Sequence, residues 1–167
     1  MANTPDSAAT HEGQTTTAAR WQVHCDGTAH PNPGRMSIGV VVTAPDGVQH
    51  SLSRALGASG CNNEAEARAL IAALQLLHDL GAEQRPLQIH SDSSVLVAQL
   101  AGATPVARLA HVFDEARVLL AGFGDARLVW VPRHRNRMAD TLARAALDLA
   151  DKSDLKPRPK KRQARRR

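Results

Sequence analysis

The stretch CDGTAHPNPG, residues 25–34, decides how the chain begins to fold. It follows an alternating apolar run that starts at Trp21, so that WQVHCD over residues 21–26 predicts a first β-strand. A glycine and two prolines come next, and proline has no backbone N–H to donate within a sheet. We expect Asp26 to end this strand and a stiff, open loop to follow the carboxylate.

The rest of the chain shows four more strand patterns and four helical patterns. A Pro45-Asp46-Gly47 turn predicts a hairpin between the second and third strands, and Gly81 marks the end of a long amphipathic helix. The predicted strands are 37–44, 48–55, 87–91 and 126–132, and the predicted helices are 63–80, 93–100, 106–121 and 136–150. This order predicts an α/β fold: a mixed five-stranded sheet, three antiparallel strands then two parallel, with helices on both faces.

Charge divides the chain into a body and a tail. Residues 151–167 hold nine Lys or Arg against two Asp, which leaves 12 basic and 14 acidic side chains in residues 1–150. We predict a disordered leader at residues 1–20, one folded domain at residues 21–150 and a disordered basic tail at residues 151–167. Such a tail favours contact with a nucleic-acid backbone; a solubilising terminus and a nuclear-import signal are the alternatives.

Composition argues against several classes of protein. No apolar run approaches the roughly 18 residues that span a bilayer, and the N-terminus lacks the pattern of a signal or transit peptide. We therefore predict a soluble, cytoplasmic protein without membrane contact. Cys25 and Cys61 predict isolated reduced thiols. With two Trp, two Phe and no Tyr, the chain offers little for stacking unpaired bases, which argues against a single-strand binder.

Three aspartates lie where predicted strands end or helices begin. Asp26 and Asp92 follow the first and fourth predicted strands, and Asp140 lies in the first turn of the last helix. Singly, each has a structural explanation, such as a turn, a helix cap or an ion pair with Arg144. Together, carboxylates at the carboxyl ends of parallel strands converge on one crevice, where they repel one another unless cations intervene. Hard cations such as Mg²⁺ take oxygen ligands of this kind.

A fourth carboxylate comes from the segment CNNEAEA, residues 61–67. Glu66 heads the apolar stripe of the long helix and faces the body of the protein, whereas Glu64 lies on the polar side, four residues before Arg68. Glu66 is therefore the better candidate ligand. Its structural alternative is a favourable interaction with the dipole of its own helix.

Four blocks of this sequence together resemble the signature blocks of type-one ribonuclease H. They are DGTAHPNPG, NNEAEARALIAAL, IHSDSSVLVAQL and WVPRHRNRMADTLARAA, and the resemblance covers about residues 21–150. It implies a sheet with the first strand at its centre and endonucleolytic cleavage of the RNA strand of RNA–DNA hybrids, leaving 5′-phosphate and 3′-hydroxyl ends. It also implies two Mg²⁺ ions per site, with Mn²⁺ as the alternative, and these catalytic, metal-binding residues: Asp26, Glu66, Asp92 and Asp140.

The resemblance further implies which residues contact the hybrid. Those near ribose 2′-hydroxyls or groove edges are Gly27, Thr28, Ala29, Asn32, Asn62 and Asn63, with helix capping as the alternative for the Asn62-Asn63 pair. Arg133, Arg135 and Arg137 are candidate phosphate contacts, or an exposed polar face. His134 is a candidate catalytic residue, or a solvated loop residue. A hydrolase triad of Ser91, His134 and Asp92 is disfavoured because the chain has no G-x-S-x-G motif.

The chain also departs from the family pattern. Cys61 stands where the family usually has a Thr that helps to bind a DNA phosphate, and residues 102–126 lack the Lys- and Trp-rich protrusion that grips the hybrid. The basic tail is our candidate for the missing grip. We recognise no separate hybrid-binding module and no apolar interface stripe, and so expect a monomer. Two alternatives stay open: a non-cleaving protein that binds hybrids or duplexes on the same fold, and a nuclease that acts on DNA or junctions.

Overall fold

The computed structural model describes residues 19–148, which fold around one five-stranded sheet. The strands are β1 (Trp21–His30), β2 (Gly34–Thr43), β3 (Gln49–Gly60), β4 (Leu87–Ser91) and β5 (Ala126–Trp130). The helices are α1 (Asn62–Asp79), α2 (Ser94–Leu100), α3 (Ala110–Ala121) and α4 (Arg137–Ala145). The predicted leader, apart from Ala19 and Arg20, and the predicted basic tail lie outside the described residues.

The sheet has the order β3-β2-β1-β4-β5, with β1 at its centre. β2 pairs antiparallel with both β1 and β3, whereas β4 pairs parallel with both β1 and β5. Parallel neighbours need a crossover connection, and α1 supplies it before β4 while α2 and α3 supply it before β5. The predicted mixed sheet of three antiparallel and then two parallel strands is confirmed.

Helices cover both faces of the sheet. On one face, α1 and α3 bury a continuous apolar core that includes Val23, Ile38, Val40, Leu70, Leu74 and Phe113. On the other face, α4 lies so close to β2 that a Cβ at Gly39 would come within 2.1 Å of the carbonyl oxygen of Ala139. The hydroxyls of Ser37 and Ser53 donate to carbonyls of α4 and fix the helix on this face. The sheet thus carries its helices on both sides, as predicted.

β1 does not end at Asp26, and the predicted loop directly after this carboxylate is wrong. Residues 27–30 continue the pairing with β2, where Gly27 lies opposite Ile38 and His30 opposite Arg35. The prolines confine the interruption of strand pairing to residues 31–33. Residues 27–30 contain no proline, so they can keep their hydrogen bonds with β2. β2 accordingly begins at Gly34 rather than at residue 37, and β3 runs to Gly60 rather than to residue 55.

Other element ends shift by a few residues. α4 ends at Ala145 rather than at residue 150, and Asp148 follows with a positive φ of 58° that no α-helix contains. β5 stops short of residue 132 because Pro132 cannot donate to the ladder. Ser93 precedes α2 and caps it, since its hydroxyl accepts a hydrogen bond from the amide of Leu96 at 3.2 Å.

Two further properties of the described residues concern their cysteine thiols and the hydrophobicity of their helices. Cys25 and Cys61 are both free thiols, as expected. Burial raises the pKa of the Cys25 thiol well above its usual value. Within residues 19–148, no helix combines the length and the hydrophobicity that crossing a bilayer requires.

Candidate active site

The end of the short strand β4 opens a notch beside β1. β4 pairs with β1 only as far as His24 opposite His90, and β1 continues beyond this pair without β4 at its side. Asp26 lies in this overhang and is only 5% exposed. Asp92 directly follows β4, and continuing the register places it beside Asp26. Because side chains two residues apart on a strand share a face, both carboxylates lie on the face of the histidines.

Gly27 allows α1 to reach this notch. A Cβ at Gly27 would lie 2.1 Å from the carbonyl carbon and oxygen of Ala65 and 2.4 Å from the amide nitrogen of Glu66. Only glycine permits the helix to pack this closely on the strand. The Gly27 amide donates to Glu66 Oε2 at 3.3 Å, which holds this carboxylate at the notch. Glu64 turns away and forms the predicted pair with Arg68 at 2.8 Å.

Three of the four predicted carboxylates form one cluster. Asp26, Glu66 and Asp92 each place a carboxylate oxygen within 4.8 Å of the others. Asp140 lies in the first turn of α4, and its Oδ1 accepts a hydrogen bond from Arg133 at 2.8 Å. It does not belong to this group of three, although its charge acts on Asp26. β1, α1 and the loop after β4 therefore bring three carboxylates together, and α4 places a fourth near enough for its charge to act on Asp26.

Burial and mutual repulsion disfavour the charged forms of two of these carboxylates. Loss of solvation, followed by the nearby charges of Asp92 and Asp140, raises the pKa of Asp26 to about 7. The pKa of Glu66 is raised as well, first by burial and then by the charge of Asp26. A cation among these oxygens would replace the lost solvation, and a donor set made only of oxygens fits a hard divalent ion. The cluster therefore fits a metal centre.

The raised pKa of Asp26 predicts how the metal-free protein responds to pH. Its folded-state value of about 7 lies above the roughly 3.9 of an aspartate in an unfolded chain. The resulting stabilisation is fully present below about pH 4 and is lost as the pH rises through about 7. We expect the melting temperature in EDTA to fall over this range, and Asp26→Asn to remove much of the fall.

Thermal unfolding followed by circular dichroism measures this effect. Asp79→Asn, at an exposed aspartate near the end of α1, is the matched control and should keep the native pH dependence. Mg²⁺ should raise the melting temperature more above pH 7 than near pH 4, because ionised carboxylates bind it. An Asp26→Asn variant with the full pH dependence of the native chain would contradict the prediction.

Asn136 is a site residue that the sequence analysis missed. It directly precedes α4 and is 1% exposed, yet its side chain does not cap the helix. Its amide donates instead to the carbonyl of Cys25 at 2.9 Å and to Oδ1 of Asp92 at 2.6 Å. Its backbone carbonyl accepts the amide of Asp140 at 3.1 Å, which links three carboxylate-bearing segments. One sequence feature could have indicated this residue: Asn136 lies four residues before Asp140 at the start of a helix, which is the spacing of a helical hydrogen bond.

Comparisons with known proteins agree with this fold. A family model described as reverse transcriptase-like matches residues 24–146. A ribonuclease HI from Halobacterium salinarum is 37% identical over 133 residues, which cover 77% of this chain and 65% of that protein. The solved structure of RNase H1 from the same archaeon is 36% identical, with a TM-score of 0.69, and the match covers 78% of this chain and 99% of that one. This chain belongs to the type-one ribonuclease H family.

Solved ribonuclease H structures share its fold. The N-terminal RNase H domain of a Mycobacterium tuberculosis protein has a TM-score of 0.70 at 34% identity, covering 77% of this chain and 99% of that one. An RNase H1 called LC11, in complex with an RNA/DNA hybrid, has a TM-score of 0.61 at 31% identity, covering 77% and 97%. The chain spans 65% of the halobacterial relative's length and 36% of a bifunctional M. tuberculosis relative.

The asparagines that the ribonuclease H pattern assigns to the hybrid lie near the start of α1. Asn62 Oδ1 accepts the amide of Ala29 at 2.8 Å, and Asn32 Oδ1 accepts the amide of Asn62 at 3.1 Å. Cys61 is the N-cap of α1, so neither Asn62 nor Asn63 has the capping role that was the alternative. Since both accepting oxygens are engaged, the side-chain NH₂ groups of Asn32 and Asn62 are left to donate elsewhere.

The residues after Asp26 serve the ribonuclease H fold first. Gly27 faces the backbone of α1, and Ala29 is buried in a small apolar cluster with Met36. Thr28 lies opposite Ser37 within the sheet and is half-buried. Packing against α1 therefore accounts for the small size of Gly27. Hybrid contacts at Gly27, Thr28 and Ala29 stay predictions.

The basic turn before α4 carries the remaining residues that are predicted to act on the hybrid. Arg133, His134 and Arg135 form one exposed 3₁₀ turn. The hydrogen bond from Arg133 to Asp140 raises the pKa of the guanidinium and ties the turn to the site. Among residues 19–148, the side chains of His134 and Arg135 have no hydrogen-bond or ion-pair partner. Catalysis by His134 and phosphate contacts of Arg133, Arg135 and Arg137 stay predictions.

Proposed function

We propose that this chain is an endoribonuclease that cleaves the RNA strand of RNA–DNA hybrids with divalent metal ions. The observation that carries the proposal is the cluster of Asp26, Glu66 and Asp92, with Asp140 beside it. The halobacterial ribonuclease HI and the LC11 structure with its bound hybrid support the same activity. Hydrolysis would leave 5′-phosphate and 3′-hydroxyl ends, and Mg²⁺ is the proposed ion, with Mn²⁺ as the alternative.

The four carboxylates would hold the metal, which when bound supplies an activated water and stabilises the departing oxygen. Asn136 holds Oδ1 of Asp92 and leaves the other carboxylate oxygen for the metal. Arg133 balances the charge of Asp140 at the outer edge of the site. No side-chain nucleophile is required. Ser91 is unsuited to that role because its hydroxyl lies within a fully buried residue and accepts the amide of Ser93.

A polar pocket near the start of α1 offers a place for the DNA strand. It encloses about 370 Å³ and is lined by Asn32, Pro33, Cys61, Asn62, Asn63 and Arg108. Its amide NH₂ groups and its guanidinium donate hydrogen bonds, which suits the acceptor oxygens of phosphate and sugar. The Cys61 thiol is a weaker donor than a Thr hydroxyl. Arg108 adds a positive charge that could offset this weakness.

Replacing Arg108 tests the role of this pocket. Arg108→Ala should weaken hybrid binding roughly tenfold, since a hydrogen bond to a charged group contributes about 1.5 kcal/mol. It should also reduce the salt dependence by about one phosphate contact. Fluorescence anisotropy in EDTA, where no RNA is cut, measures both quantities. Arg85→Ala, at an exposed arginine in the loop between α1 and β4, is the control; equal effects of both variants would contradict a specific contact.

The basic tail is proposed to hold the nucleic-acid backbone without sequence preference. Deleting residues 152–167 removes nine Lys or Arg and should weaken hybrid binding and flatten its dependence on salt. A tail of the same length with all nine replaced by Gln separates charge from length and should behave like the deletion. Unchanged affinity and unchanged salt dependence in the deletion would rule out this role.

Cleavage of an end-labelled RNA strand in an RNA–DNA hybrid tests the proposed function directly. The native chain should cut the hybrid with Mg²⁺ or Mn²⁺ and should leave DNA duplexes intact, and RNA duplexes serve as a further control. Binding of hybrid without cutting by either ion would point to the non-cleaving alternative. Equal cutting of DNA duplexes or junctions would point to a different nuclease on the same fold.

A further inference from the structure

Two stacked histidine rings lie behind the carboxylate cluster. His24 on β1 and His90 on β4 are paired across the sheet, with ring centroids 4.5 Å apart and planes inclined by 14°. Each stands two residues before an acidic residue of the cluster, Asp26 or Asp92, on the same face of the sheet. His24 lies outside the four signature blocks quoted above, whereas His90 is the second residue of the block IHSDSSVLVAQL.

The hydrogen bonds around Asn136 fix which nitrogen of His24 carries the proton. The Asn136 amide nitrogen donates to the carbonyl of Cys25 and to the carboxylate of Asp92, and both partners can only accept. The Asn136 oxygen must therefore face His24 Nδ1, which lies 3.2 Å away. Because an amide oxygen can only accept, Nδ1 of His24 carries the hydrogen. His24 thus completes the hydrogen bonding of an amide that is 1% exposed.

The neighbouring histidine has a different hydrogen-bonding role. His90 Nε2 lies 2.9 Å from Oε1 of Gln22 and must donate to it. Its Nδ1 is buried and has no partner among the described residues. His90 therefore stacks on His24 and forms no hydrogen bond with Asn136 among the described residues, so the two rings can be tested separately.

We infer that His24 is a positioning residue of the metal centre, acting through Asn136 on Asp92. Its Nδ1–H keeps the Asn136 oxygen satisfied, so that the amide nitrogen stays on Oδ1 of Asp92 and the second carboxylate oxygen stays available to a cation. Without this donor, a buried acceptor is left unpaired, which favours rearrangement of Asn136. In this role His24 itself would contact neither cation nor substrate. The inference rests on the metal-dependent function proposed above.

Two substitutions separate the hydrogen bond of His24 from its ring. His24→Phe keeps a ring that can stack on His90 and removes the donor. His24→Asn removes the ring and keeps an N–H as many bonds from Cβ as Nδ1 of histidine. Mn²⁺ affinity is measured without nucleic acid, by titration with electron paramagnetic resonance detection. It should fall roughly fivefold to tenfold in His24→Phe. This loss is at or below that seen when a direct hydrogen-bond partner of a metal ligand is removed, because His24 acts through Asn136. The Asn variant should stay close to the native affinity.

Controls keep the comparison decisive if a variant folds poorly. His24→Leu has nearly the shape of asparagine without its donor, so the Asn and Leu variants form a second pair in case the Phe variant does not fold. His90→Phe should keep the native affinity because it leaves the His24–Asn136 bond intact. Equal weakening by Phe and Asn, or native affinity in Phe and Leu, would overturn the inference, as would a native chain that binds no Mn²⁺. Mn²⁺ binding without hybrid cleavage would defeat the proposed function and leave the His24 comparison valid.

Discussion

Asp92→Asn should abolish cleavage of the RNA strand while the protein stays folded. Asparagine keeps the size of the side chain and loses the charge that would hold a cation beside Asp26. Metal stabilisation of the transition state amounts to several kcal/mol, and each 1.36 kcal/mol is a tenfold change in rate, so we expect a loss of about a thousandfold or more. Single-turnover cleavage of a labelled hybrid measures this loss.

The Asp79→Asn variant is the control for Asp92→Asn, because it makes the same chemical change at an exposed position at the far end of α1. Its cleavage rate should equal that of the native chain. Hybrid binding in EDTA should change little in Asp92→Asn, so that the loss lies in the chemical step rather than in affinity. If Asp92→Asn kept more than about a tenth of the native rate, the activation free energy would have risen by less than 1.36 kcal/mol. That result would show that Asp92 does not hold the catalytic metal.

Gly27→Ala should strongly destabilise the protein although it adds only one methyl group. The added Cβ would lie 2.1 Å from backbone atoms of Ala65, which cannot rotate away as a flexible side chain could. Overpacking of this kind lowers the free energy of unfolding by about 3 kcal/mol. We therefore expect the melting temperature to fall by roughly 10 °C. The start of α1 must move away from β1, and Glu66 moves with it.

The same substitution should reduce activity in the molecules that remain folded. Displacing a catalytic group by about 1 Å can cost about a hundredfold in rate, and Glu66 is held at the notch by the Gly27 amide itself. Gly124→Ala is the matched control, because the nearest atom to its added Cβ is Gln84 Oε1 at 3.9 Å. Native activity per folded molecule in Gly27→Ala, measured well below its melting temperature, would show that Gly27 serves packing alone.

Local patterns in the sequence were sufficient for the order of the elements and for the choice of Glu66. Apolar alternation and helical periodicity act over a few residues, and they predicted each strand and helix to within a few positions. The preference for Glu66 over Glu64 followed from the geometry of one helix, and Glu64 pairs with Arg68 as that geometry requires. These conclusions needed no knowledge of the tertiary structure.

Features that depend on distant partners could not be predicted in this way. Whether β1 continues past Asp26 is decided by its pairing with the start of β2, since residues 27–30 alone have no strong preference. The role of Asn136 depends on Cys25 and Asp92, which lie 111 and 44 residues away in the chain. A polar residue before a helix resembles an ordinary cap until those partners are known.

The attachment of α4 has a consequence for the dynamics of the site. α4 is a nine-residue helix near the end of the described chain, and it rests on the opposite face of the sheet from the main core. A short helix outside the main core opens locally at a lower free energy than the central sheet. Opening of α4 would carry Asp140 away and release Asn136 from Asp92, and would leave the core under α1 intact. We therefore expect the carboxylate cluster to open more readily than the fold that supports it, and a cation held by carboxylates of both β1 and α4 would oppose this partial unfolding.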